Sequence, residues 1–182
     1  KEGYVTYQIG PSWDAAKVSG KFLRDKNDFL TTKLALSSVK VSSPWTSGTG
    51  VFLGHHNDQY LVATSAHVLK NVPTCLALPV YAHFEMINKS YKCQGIIGIW
   101  PEIDFALFTI KESSADDKTL AETNPMTLDF KSSLKHGSAL MTMGFGSHNN
   151  EEGDLTIKND RDCMIYSADG ETKVITNDEK SI

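Results

Sequence analysis

The chain has 182 residues, 40% of them hydrophobic and 22% charged, the composition of an ordinary globular protein able to bury a sizeable core. A net charge of −4 and a pI near 5.8 exclude the basic surface with which a nucleic-acid binder neutralises phosphates. No apolar run approaches the roughly 18 residues of a membrane span, and the longest, "CLALPVYA", contains Pro79.

Lys1 opens the chain with neither an initiator methionine nor a signal-type segment, so a processed product or a trimmed piece of a longer protein is expected. Residues 1–35 read as an N-terminal extension. Within it, "SWDAAKVSGKFLRDKNDFL" places apolar residues near helical spacing and predicts one short helix with Ser12 as its N-cap. From "LALSSVKV" onward the pattern changes to short apolar runs separated by turn residues. It predicts strands over 33–41, 49–54, 60–65, 75–84, 91–100 and 104–110, with "HHND" at the tip of a hairpin. These strands fall in a first domain, 36–122. The polar link "KESSADDKTLAETNP" at 111–125 carries no core signal and marks the boundary. Beyond it, 123–182 contributes the run "SALMTMGFG" and a hairpin, "DCMIYSADGETKVIT", turning at Asp169 and Gly170. Many short strands with almost no helix point to an all-β barrel or sandwich.

The chemistry begins at "LVATSAHVLKN", where a strand runs into a turn and delivers His67 directly after the small residues Thr64, Ser65 and Ala66. A neutral imidazole takes a proton from a nucleophile when its other nitrogen is held in the right tautomer. A carboxylate does this and also stabilises the imidazolium as it forms. "EIDFALFTI" supplies such an acid: Asp104, followed at once by Phe105, Ala106, Leu107 and Phe108. A carboxylate beside so apolar a strand needs a partner to offset the cost of leaving water.

"SGTGVFLG", then "YLVATSAHVL", then "DFALFTI" together resemble the first barrel of a trypsin-like (chymotrypsin-fold) serine endopeptidase, and "LMTMGFG" is similar to the family's second-barrel strand ending in a Gly-aromatic-Gly turn. The resemblance covers roughly residues 45–176. It implies a double six-stranded antiparallel Greek-key β-barrel whose second barrel is incomplete here, with His67 as general base and Asp104 as its orienting acid. The mechanism comes with the family. It also implies a protein or peptide substrate, no cofactor and no metal. His67 is followed by Val68 rather than by cysteine, and "WTSGTGVFL" has no cysteine either. That pattern resembles the bacterial secreted, glutamyl-endopeptidase-like branch. A secreted or periplasmic location follows.

Two readings bear on the cysteines. Cys75 and Cys93 flank two strand-like runs and could close them as a disulfide, worth about 3 kcal/mol in the chain-entropy model. Alternatively all three cysteines are buried thiols in a reducing compartment. The oxidising location implied by the resemblance favours the Cys75–Cys93 disulfide. It would leave Cys163 free or joined to a residue outside this chain. His55, His56, His83, His136 and His148 lack the spacing of a zinc site.

The family's nucleophile sits in a Gly-x-Ser-Gly turn whose backbone N–H groups form the oxyanion hole. No such turn occurs in these 182 residues, and Ser138 in "HGSAL" lies on the wrong side of the "GFG" turn. The expectation is therefore a split enzyme. This chain supplies His67 and Asp104, and a C-terminal fragment of the same precursor supplies the serine, so the chain alone is inactive. The alternative is a non-catalytic, trypsin-like binding or regulatory module.

Overall fold

The computed structural model describes residues 16–57, 59–110, 120, 125–127, 142–145, 155–158, 163–168 and 171–176. Ser12, the expected helix cap, lies outside them. A helix does form just downstream, α1 (Gly20–Lys26), where the Ser19 hydroxyl accepts a hydrogen bond from the Phe22 N–H at 3.2 Å. Asn27, in the left-handed region at φ 47°, ends it. Asp28 at once caps a second helix, α2 (Phe29–Ser37), its carboxylate accepting from the Thr31 N–H at 2.7 Å. The Thr31 hydroxyl and N–H together hold the Asp28 carboxyl below its usual range.

This second helix corrects the strand expected over 33–41. Residues 33–37 are its C-terminal half, and the strand begins only at Ser38. "KLALSS" is apolar enough for either state, and the Asp28 cap decides for the helix. Ser37 and Ser38 then donate their hydroxyls to the carbonyls of Lys33 and Leu34, both at 2.8 Å, as the helix ends.

Before α1 lies β1 (Ala16–Lys17). After α2, six strands close into a barrel: β2 (Ser38–Ser42), β3 (Ser47–His56), β4 (Gln59–Thr64), β5 (Tyr81–Phe84), β6 (Lys89–Trp100) and β7 (Phe105–Ile110). The neighbours run β2-β3-β4-β7-β6-β5, all antiparallel, and β5 pairs back to β2. The strand expected over 75–84 is confined to Tyr81–Phe84, and residues before it form turns. Closure leaves no sheet edge among these strands, which removes their tendency to pair with other chains.

Side-chain alternation fills the barrel. Val39 and Val41 of β2, Phe52 of β3, Val62 of β4, Phe84 of β5 and Phe108 of β7 are all at most 1% exposed. The Phe84 ring meets Phe52 at 5.3 Å and Tyr91 at 5.4 Å, edge to face. Each such side chain stabilises the fold by about 1.5–3 kcal/mol through burial. A bulge between Phe52 and Gly54 bends β3. Gly54 takes φ 87°, and a Cβ there would lie 2.8 Å from the Pro125 ring, so only glycine lets residues 125–127 lie along this strand. The Met126 N–H donates to the Phe52 carbonyl at 3.2 Å.

Two smaller sheets follow. β8 (Thr142–Gly144) and β9 (Thr156–Lys158) pair with each other, and β1 adds to β9 through Ala16 opposite Ile157. β10 (Cys163–Ala168) and β11 (Glu171–Thr176) pair antiparallel with Ala168 opposite Glu171, and the turn expected at Asp169 and Gly170 lies outside the described residues. The architecture is all-β, built on a closed six-stranded antiparallel barrel. Among the described residues no helix is long and apolar enough to cross a membrane.

Candidate active site

Two chain reversals at one end of the barrel bring His67 and Asp104 together. β4 ends at Thr64, whose buried hydroxyl donates to the Thr49 carbonyl at 2.8 Å and ties that end to β3. The chain then makes a 3₁₀ turn, Ala66–Leu69, closed by the Val68 N–H on the Ser65 carbonyl. Ala66, Val68 and Leu69 bury their side chains, and His67 is turned outward. Gly48 on β3 makes room for this turn, since a Cβ there would lie 2.5 Å from a Val68 methyl.

On the other side, β6 runs into a 3₁₀ turn at Pro101–Ile103, and Asp104 caps it with φ 47° before β7 begins. Aspartate tolerates this left-handed conformation better than most residues. β4 and β7 are neighbours with Thr64 opposite Ala106, so the residues just beyond those positions meet. The result is a paired clasp. Asp104 Oδ1 accepts the His67 backbone N–H at 3.0 Å, and Oδ2 lies 2.8 Å from His67 Nδ1. The backbone N–H and the imidazole of His67, in that order, hold the Asp104 carboxyl below the usual carboxylate range. A hydrogen bond from the Ser65 side chain adds to this, against a partial opposing desolvation. The arrangement suits a neutral imidazole with its proton on Nδ1, which leaves the Nε2 lone pair free to take a proton.

The pair is open to solvent, with 65% of the His67 side chain and 51% of the Asp104 side chain accessible. A cavity of about 750 Å³ adjoins it, lined by Leu69, Val72, Ile99 and Pro101 besides the pair itself. The loop that forms its wall is tethered by the Cys75–Cys93 disulfide, whose Cα atoms are 5.6 Å apart. Both cysteines are buried, which joins the segment after His67 to β6.

Of the residues singled out from sequence, His67, Asp104, Cys75 and Cys93 are therefore brought together in two pairs. Cys163 opens β10 opposite Thr176, and its side chain lies outside the described residues, as does Ser138. His55 and His56 are exposed at the end of β3. Sequence reading did not single out Ser65, Gly48 or the backbone of Asp104. The signal available for Ser65 was its place as the residue before a turn.

No protein-family model matches the chain, and no curated protein matches it. Among solved structures it is similar to the Rv3671c protease in an inactive form, with TM-score 0.52 and 18% identity over 84% of this chain and 62% of that one. It is likewise similar to an inactive-form serine-to-alanine mutant of Rv3671c from M. tuberculosis H37Rv, with TM-score 0.51 and 18% identity over 85% of this chain and 60% of that one. The chain thus spans about three fifths of the length of either structure. With the closed barrel, the likeness shows that the chain has a trypsin-like protease fold.

Proposed function

We propose that this chain is the part of a serine endopeptidase that carries the general base and its orienting acid. The observation that supports the reading most is the double grip of Asp104 on His67, through the backbone N–H at 3.0 Å and Nδ1 at 2.8 Å. A carboxylate holding only the ring would leave the ring free to swing. Gripping the backbone as well sets the distance before substrate arrives.

In this reading His67 Nε2 takes the proton of a serine hydroxyl as its oxygen attacks the peptide carbonyl, then returns it to the leaving amine. Asp104 stays ionised throughout and stabilises the imidazolium. These are the general steps of the Ser-His-Asp triad. The serine and its oxyanion-hole turn come from a further segment of the same precursor, since the 182 residues contain no Gly-x-Ser-Gly. Without that segment the chain does not hydrolyse peptide bonds.

The disulfide supports an extracytoplasmic compartment, secreted or periplasmic. The absence of cysteine next to His67 supports the bacterial, glutamyl-endopeptidase-like style of the family. The domain division is part of the same proposal: an extension 1–35, a first barrel 36–122 and part of a second barrel from 123.

The test is to treat the protein purified from its source with a fluorophosphonate probe and separate the polypeptides under reducing conditions. Label on a second polypeptide of the same precursor, lost on mutation of His67, is the expected result. Absence of label from every species would favour a non-catalytic binding module of the same fold.

A further inference from the structure

The β5–β6 hairpin brings together a second histidine, a serine and a glutamate. His83 stands opposite Ser90. Their strand neighbours Phe84 and Tyr91 are buried and packed edge to face at 5.4 Å. Alternation along each strand therefore turns His83 and Ser90 to the outside of the barrel, on a base fixed by aromatic packing. There the Ser90 hydroxyl oxygen lies 2.8 Å from His83 Nδ1, and His83 Nε2 lies 3.4 Å from the Glu85 carboxylate. Ser90 is exposed, while 29% of the His83 side chain and 34% of the Glu85 side chain are accessible.

Hydroxyl, imidazole and carboxylate thus stand in series. When Ser90 donates to Nδ1, the ring proton sits on Nε2 and faces Glu85. The order of the ring nitrogens is reversed from that at His67, but Nδ1 is placed to take the Ser90 proton while the other nitrogen faces a carboxylate. Lys40 stands opposite His83 on β2, and exposed Lys92 follows Ser90 by two positions on the same face of β6. Both residues put positive charge on the same outer face as the pair.

We propose that Ser90, His83 and Glu85 form a second, acyl-accepting site on the outer face of the barrel, whose substrates are small activated esters. Ser90 Oγ attacks the ester carbonyl and forms the new C–O bond as its proton passes to His83 Nδ1. The bond to the leaving alkoxide or aryloxide breaks with its electron pair, and that oxygen takes the proton from His83. Water then attacks the acyl-serine by the same route in reverse and releases the carboxylic acid. Glu85 holds the imidazolium through Nε2. The open face suits a small acyl group with a good leaving group. The site uses none of the residues of the His67–Asp104 pair.

The experiment is to incubate the 182-residue chain with p-nitrophenyl acetate at neutral pH and map acetylation peptide by peptide. One acetyl on the Ser90 peptide is expected, absent in S90A. General-base catalysis is worth about 10²–10⁴-fold, so H83Q should slow acetylation by about 10²-fold or more, and E85Q by a smaller factor. Acetyl found only on Lys89 or Lys92 would overturn the proposal. So would Ser90 acetylation at the same rate in H83Q, because the pair would then only brace the hairpin. The readout involves no peptide hydrolysis, so either outcome leaves the proposed protease reading untouched.

Discussion

His67 and His83 are both held at Nδ1, but by different chemistry and from different distances along the chain. His67 meets a carboxylate supplied 37 positions away, at the joint of two neighbouring strands. His83 meets a hydroxyl only 7 positions away, across a single hairpin. The first arrangement needs the closed barrel, because only the pairing of β4 with β7 places Asp104 beside His67. The second needs only the register of β5 on β6. A long-range clasp ties its geometry to the global fold, whereas a cross-strand pair survives as long as its hairpin does. The base of a hydrolase is better placed in the former, where a small displacement costs rate steeply.

Asp104 is where substitution should matter most. In the serine endopeptidase proposed above, D104N should keep the fold and lower kcat by about 10⁴-fold, the magnitude of this triad chemistry. Steady-state kinetics on a chromogenic peptide would measure it. A loss below tenfold would mean that Asp104 does no more for His67 than a neutral amide can.

The disulfide comes next, because it joins the two regions. Cys75 belongs to the segment after His67, and Cys93 to the strand that carries Ser90. Replacing both cysteines by serine should cost about 3 kcal/mol by lost loop closure. Urea unfolding would measure this as a lower midpoint. Hydrogen exchange should rise in residues 70–80 before it rises in the β5–β6 ladder, which keeps its backbone pairing.

The smallest effect is a pH dependence. The Asp104 carboxyl is held below its unfolded value, so its contribution to stability is present above about pH 3.9, the ordinary aspartate value, and fades as pH falls through the folded one. The stability difference between wild type and D104N should shrink in that acid window. Because the group is half exposed, solvent screening keeps the effect small.

The barrel was legible where burial imposes a period of two. β3, β4, β6 and β7 each lie within a few residues of the short apolar runs that turn residues bound. Legibility failed where one apolar string suits two states. "LALSS" reads as strand, yet the Asp28 carboxylate on Thr31 starts a helix that carries it. Residues 75–80 read as strand, yet a disulfide and turns hold them off the sheet until Tyr81. His67 and Asp104 stood out because "SAHV" and "DFALF" keep the order and spacing of a known family. Their geometry was hidden, since the left-handed φ of Asp104 and the space left by Gly48 arise only on closure. The Ser90–His83 contact had no sequence signal, because it depends on a register fixed by the short turn at Glu85–Ile87.

Everything proposed for His67 depends on Asp104 holding the neutral ring with its proton on Nδ1 and its Nε2 free to act as a base. The decisive measurement is nitrogen-15 and proton NMR of the imidazole in the 182-residue chain, at alkaline pH where the ring is neutral. A protonated Nδ1 whose proton resonates far downfield, an unprotonated Nε2, and loss of the downfield signal in D104A are expected. A ring protonated on Nε2, or an Nδ1 signal indifferent to the Asp104 substitution, would contradict it.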